Sequence, residues 1–360
     1  MLLSFDRMKN SSFILLFFFF VSCIDPYQVE LDKGAQLLTI DGIITSIPQV
    51  HSIRLTRSDT YGSVFQGLVR PVTGATVIVR DDLGNVTFFP QNNGDPGRYD
   101  SPANFATVIG RSYTLQIQTV EGKVYTSFPE RVESVPEIKD LTYQVIKIPV
   151  EGEINPKSGV QLIASLDDPA DQNNFYLWRN NPSVYVLKTR PDLFTPRPSD
   201  ANPSRDPQPK DCCNTCFRSE LVGNQSLFIA QDDNFNGLNT RLPVGFIEDD
   251  GLRFIQTYRV DLRQMSVSQE AYRFLRLVKQ QTEISGSVFD PPPANIRGNM
   301  ISLDDPEEEV LGYFIAGAER KKRIYINGAD LDFRQNVAII PDDCRLVEGA
   351  QINPPIDWNP

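Results

Sequence analysis

"ATVIVRDDLGNVTFFPQNNGDPGRYD" (75–100) holds the information that decides the fold. Three strand-length segments, 75–82, 86–91 and 97–100, are separated by "DDLGN" at 81–85 and "NNGDPG" at 92–97. In those turns Asp, Asn and Gly supply the local hydrogen bonds and the positive φ that tight reversals need. The spacing continues outward through "QLLTIDGIIT" (36–45), "HSIRLTRS" (51–58), "YTLQIQTV" (113–120) and "KVYTSF" (123–128), with "EG" turning the chain at 121–122. In "SIRLTR", Ile53 and Leu55 face one way and Arg54 and Thr56 the other, the period of a half-buried strand. Seven short strands without helical periodicity predict an Ig-like β-sandwich over 35–130.

Pro129 to Lys139 reads as a linker to a larger, β-rich α+β domain over 140–360. That region opens with the strands "LTYQVIKIPV", "GVQLIASLDD" and "NFYLWRN" and continues with "VLGYFIAGA", "RIYING" and "VAIIP". Six prolines between Arg190 and Asp211 make an irregular exposed loop. One amphipathic helix is expected in "MSVSQEAYRFLRLVKQQTE". Ser266 and Gln269 fit a capping box, and Ala271, Phe274, Leu275 and Val278 fall on one face that packs on a sheet. Arg273, Arg276 and Lys279 line a solvated side.

The N-terminus carries an address. The apolar run Phe13 to Val21 is far too short to span a bilayer, which takes roughly 20 residues in a helix. Preceded by Arg7 and Lys9 and followed by Ser22, it has the layout of a secretory signal. Phe20-Val21-Ser22-Cys23 resembles a bacterial lipobox, so residues 1–22 are expected to be removed and Cys23 to carry the lipid anchor, the sole prosthetic group expected. Acyl chains at about 0.8 kcal/mol per buried CH₂ give durable anchoring when two or more are present. Residues 23–34, with Asp25, Glu30 and Asp32, form an acidic tether.

The 360 residues carry a net charge of −11; the signal contributes Arg7 and Lys9 against Asp6, so the remainder is more acidic still. Such a surface argues against nucleic acid or anionic lipid as the main partner. Beyond Cys23 the thiols are Cys212, Cys213, Cys216 and Cys344. Four such thiols could ligate zinc, but an exported chain meets an oxidising environment, and two disulfides are the expectation. Adjacent Cys212 and Cys213 are poorly placed to bond each other, so at least one bridge ties the 212–216 loop to Cys344.

No catalytic constellation assembles. The single histidine, His51, lies inside a strand, and there is no G-x-S-x-G elbow. Asp232-x-Asn234-x-Asn236-Gly237 matches the first half of a calcium loop, but its twelfth position is Pro243 instead of a bidentate Glu. The acidic groups Asp167-Asp168, Glu248-Asp249-Asp250 and Asp304-Asp305 with Glu307-Glu308-Glu309 sit among turn residues and are expected to be solvated. Arg320-Lys321-Lys322-Arg323 is expected to be a charged hairpin turn, with phosphate headgroups as the functional alternative.

"LTIDGIITSIPQVHSIRLTRS" (38–58), "NNFYLWRN" (173–180), "DDNFNG" (232–237), "FDPPPANIRGN" (289–299), "VLGYFIAGAE" (310–319) and "DDCRLVEGAQINPPIDW" (342–358) together resemble a domain-of-unknown-function family of Bacteroidota outer-membrane lipoproteins. The ending departs from the family's usual pair of cysteines and Gly-Gly-Thr; Cys344 and "VEGA" stand there. The resemblance implies a lipid-anchored protein, exposed at the cell surface, that accompanies a TonB-dependent transporter or another outer-membrane barrel. The expectation is therefore a non-enzymatic accessory lipoprotein, with a small molecule or glycan as the class of ligand. The alternative is a surface adhesin or glycan-binding lipoprotein, resting on Tyr176 and Trp178 as exposed aromatics.

Overall fold

A computed structural model describes residues 36–58, 70–149, 154–180, 182–190, 213–220, 227–283, 296–332 and 337–360. The signal, Cys23, the tether, the proline-rich loop and Cys212 lie outside them. Among the described residues no helix is long and apolar enough to cross a membrane.

All seven strands expected in the first region are present, and they form a sandwich of two sheets. In one, Leu38–Thr45 runs antiparallel to Ser52–Arg57, which also carries Arg70–Pro71 and Arg98–Asp100. In the other, Ser112–Gln118 lies between Thr76–Asp81 and Val124–Ser127. The period-two pattern does what it promised: Ile40, Ile53, Leu55, Val77, Val79, Leu115 and Ile117 are buried while their neighbours face outward.

Both sheets also recruit strands from the far end of the chain. Val310–Gly317 pairs in parallel with Leu38–Thr45 from Leu38↔Val310 to Thr45↔Gly317, and Met300–Ser302 pairs with Val124–Ser127. The boundary expected between 35–130 and 140–360 therefore does not separate two cores. One apolar cluster runs from Leu38 to Cys344, across that boundary. Nor is 129–139 a free linker. Glu130–Arg131 pairs with Ser112–Tyr113, Val132, Val135 and Ile138 are buried, and the carbonyls of Glu133 and Pro136 accept hydrogen bonds from Ser266 and Gln264.

The remaining strands make a three-stranded sheet (Asp140–Ile148, Lys157–Asp167, Asn239–Glu248) and a seven-stranded sheet centred on Thr257–Ser266. "VAIIP" is not a strand: it makes the isolated bridge Thr189↔Ile340, and the Ala338 N–H donates to the Gly251 carbonyl at 2.9 Å. The basic run is also not a turn: Arg320 to Arg323 lie within the strand Glu319–Asn327, paired along its length with Thr257–Ser266. Charged side chains on a strand with one paired edge discourage a further strand from adding there. Tyr176 and Trp178 are buried, Tyr176 donating to Asp168 and Trp178 to Gln264 at 2.9 Å, so they offer no glycan platform.

Cys216 is bridged to Cys344 with their Cα atoms 5.8 Å apart, and Cys213 is disulfide-bonded as well. Past this staple Trp358 packs edge-on against Phe217 and Tyr325, and Asp357 accepts from Arg259 and Arg323. Those two guanidiniums hold its carboxyl down at about 2.

The parallel pairing works only because a side chain is missing. Gly312 sits at φ +87°, and a Cβ there would lie 1.8 Å from the Ile40 carbonyl oxygen. Gly312→Ala combines left-handed strain with a backbone clash that no rotamer relieves, and should cost more than about 3 kcal/mol. Chemical denaturation tests this; an unchanged midpoint would mean that the N-terminal strand does not depend on the close approach.

Candidate functional site

The helix is Gln269–Thr282, and its N-cap is Ser268 instead of the expected Ser266: the Ser268 hydroxyl accepts from the Ala271 N–H at 3.1 Å. Ser266 ends the preceding strand, where its hydroxyl donates to the Glu133 carbonyl and accepts from the Ala318 N–H. Ala271 and Leu275 are buried against Phe175, Leu177, Met265, Val267, Tyr313 and Ile315, a second apolar cluster. The apolar face is thus as expected, and at its margin the Phe274 ring packs tilted against Tyr313, their centroids 4.8 Å apart.

Beneath the N-cap lies Glu130, only 3% exposed. Its Oε2 accepts from the Ser268 hydroxyl at 2.7 Å, and its Oε1 accepts from the Tyr313 hydroxyl at 2.8 Å and the Asn299 side-chain amide at 3.1 Å. Asn299 in turn grips the backbone of Phe314, donating to its carbonyl at 2.8 Å and accepting from its N–H at 2.9 Å. The Asn299 carbonyl accepts from the Phe128 N–H at 2.8 Å. One carboxyl therefore joins the helix start, the parallel strand and the segment before Met300.

Among the described residues no cation touches this carboxyl. Burial pushes Glu130 up to about 7, the three donors opposing that rise and the Glu270 charge adding to it. Tyr313, buried and bonded to the same carboxyl, is pushed well above its ordinary value.

Above Glu130 opens a groove of about 570 Å³. Phe128, 55% exposed, and Leu277, 39% exposed, form its apolar walls with Phe274 and Tyr313. Arg131, Arg273 and Arg297 stand at its rim with Glu270. A smaller polar hollow of about 310 Å³ adjoins it, sharing Arg131, Ser268 and Glu270. An apolar wall with few polar groups at one side is the anatomy of a binding groove.

The residues singled out in the sequence go elsewhere. Asp232 is fully buried in a 3-10 turn, its Oδ2 accepting from the Asn174 N–H at 2.7 Å, whereas Asn234 and Asn236 are exposed. The turn splits the half-motif between inside and outside, and among the described residues no cluster of three acidic, histidine or cysteine side chains is placed to hold a metal. Asp168 and Asp249, expected in solvated loops, are buried. Asp168 takes the Tyr176 hydroxyl and the Gly237 N–H, and Asp249 takes the Gly251 N–H at 2.9 Å. His51 is buried, its Nε2 3.2 Å from the Ile47 carbonyl and its ring edge-on to Phe105; burial lowers its pKa.

Glu130 carried no signal in the sequence. It is one acid in a proline-bounded stretch, and its burial comes from partners 138 to 183 residues away. Tyr313, Gly298 and Asn299 stood inside strings already noticed as unusual, though nothing local showed that they converge.

A family model described as a domain of unknown function (DUF4249) matches residues 24–323. No curated protein matches the chain.

The carboxyl also makes stability depend on pH. Folded Glu130 titrates near 7, above its ordinary 4.5, so between those values the native state holds the extra proton. The contribution is complete at the acid end of that window and is lost as pH rises through about 7, a fall of roughly 3 kcal/mol. Glu130→Gln, which keeps a neutral hydrogen-bonding group, should flatten this slope. Denaturation of both proteins at about pH 5 and about pH 8 measures it; parallel pH profiles would count against the assignment.

Proposed function

The chain belongs to the DUF4249 family of unknown function, and we propose that its body is held at the outer membrane by lipid on Cys23 and serves as a binding partner of a TonB-dependent transporter or a similar barrel. The observation that carries the reading is Phe20-Val21-Ser22-Cys23 behind a basic, apolar leader, the layout in which a cysteine becomes the lipidated first residue. A β-rich body offering an amphipathic groove suits binding better than chemistry. Glu130 has the proton affinity of a general acid, but both its oxygens are engaged by protein donors, whereas a general acid must reach its substrate. An accessory role at the cell surface follows from the anchor and the acidic tether, and the reading assigns no reaction to the protein.

Affinity purification of the full chain in mild detergent should bring down a barrel protein in stoichiometric amount. Mass spectrometry of the N-terminal peptide should find Cys23 acylated. Recovery of the protein alone, or an unmodified Cys23, would remove the basis of this reading.

A further inference from the structure

The groove at the helix start has an asymmetry that narrows what it can hold. Its walls are Phe128, Phe274, Leu277 and Tyr313, and two of these leave a third or more of their surface in water. Single exposed apolar residues are ordinary; several converging on one hollow are not. The rim carries three guanidiniums on a protein whose net charge is −11. Arg131 is ion-paired at 3.0 Å to Glu133, two residues along. Arg297 is 84% exposed and only 3.9 Å from Glu309, and Arg273 makes no ion pair among the described residues. Of the acids lining the groove, Glu130 is turned to its own donors, leaving Glu270 as the one rim carboxylate.

We propose that this groove is a binding site for a single-chain amphiphile with an anionic head, its chain lying along Phe128, Phe274 and Leu277 and its head taken by Arg273 with Arg131 and Arg297. The volume, about 570 Å³, falls in the range of small-ligand sites, roughly 300 to 1,000 Å³. The guanidinium fork matches a carboxylate or phosphate head in two hydrogen bonds, and Arg273, without an ion-pair partner among the described residues, disfavours an ammonium head. The proposal does not depend on where the protein is anchored or on a barrel partner.

Calorimetric titration of the full chain in a neutral detergent, with decanoate, decylammonium, decyl glucoside and acetate, tests head and chain separately. Decanoate should bind at least about tenfold more tightly than any of the other three. Arg273→Glu should weaken it by about tenfold or more, and Leu277→Asp likewise; both positions are exposed on the helix, so the melting temperature should stay near that of the parent. Equal binding of the three decyl compounds would reveal unspecific apolar adsorption, and equal binding of acetate a simple anion site. Either result, absence of decanoate binding at millimolar concentration, or decanoate binding untouched by both substitutions would overturn the proposal.

Discussion

Three stretches of backbone pass so close together that none has room for a side chain between them. A Cβ on Gly312 would meet the Ile40 carbonyl oxygen at 1.8 Å, and a Cβ on Gly298 would meet the Gly312 oxygen at 1.6 Å. This stack, Ile40 to Gly312 to Gly298, lets a strand near the C-terminus enter the N-terminal sheet and carries Asn299 to the next position. Asn299 then bonds both backbone polar groups of Phe314 and reaches Glu130. The buried carboxyl, the helix cap and the groove above them all stand on that contact. Residues far apart in sequence pay a loop-closure entropy to meet, and here the return is shared among many hydrogen bonds.

The same contact explains what the sequence could and could not reveal. Local periodicity is a property of neighbours, and every strand it predicts from 36–45 to 123–128 is present. Parallel pairing has no local signature, so the entry of Val310–Gly317 into the first sheet, and with it the loss of the domain boundary, was hidden. "NNFYLWRN" misled for a related reason. A continuous apolar run suits a strand covered on both faces, and Tyr176, Leu177 and Trp178 are all buried. The spacing of Ser266 and Gln269 fits a capping box, but the strand extends through Ser266 and leaves Ser268 to cap the helix. A basic run set between two apolar strand segments suits a hairpin turn, yet an edge strand accommodates it.

Electrostatics sorts the buried acids into two kinds. Glu319, 1% exposed, loses solvation on burial, but Arg263 grips it through two hydrogen bonds at 2.7 and 2.6 Å and holds its pKa below the ordinary value. Glu130 is nearly as deeply buried and has only neutral donors, so the same loss of solvation wins and its pKa rises. The difference is the partner's charge, since an ionised carboxylate in a poorly solvated place needs a cation while a protonated one needs only hydrogen bonds. Glu319 therefore behaves as a fixed strut, and Glu130 as a joint whose strength changes with its proton.

That joint bears on the groove. Arg131 follows Glu130 in the chain, Arg273 lies one turn beyond the cap that Glu130 supports, and Arg297 lies two residues before Asn299. Each rim cation is thus placed by an element that Glu130 ties down, although none of them contacts it. Were a guanidinium to drop inward and neutralise Glu130, it would be lost to the rim, and the site would trade affinity for stability. The observed arrangement does the reverse. It leaves a carboxyl buried without a counter-ion, at a cost that neutral donors only partly offset, and it keeps positive charge at the mouth of an apolar hollow. Such a rim, in which Arg273 has no ion-pair partner among the described residues, has a physical use when the charge that completes it arrives with a ligand.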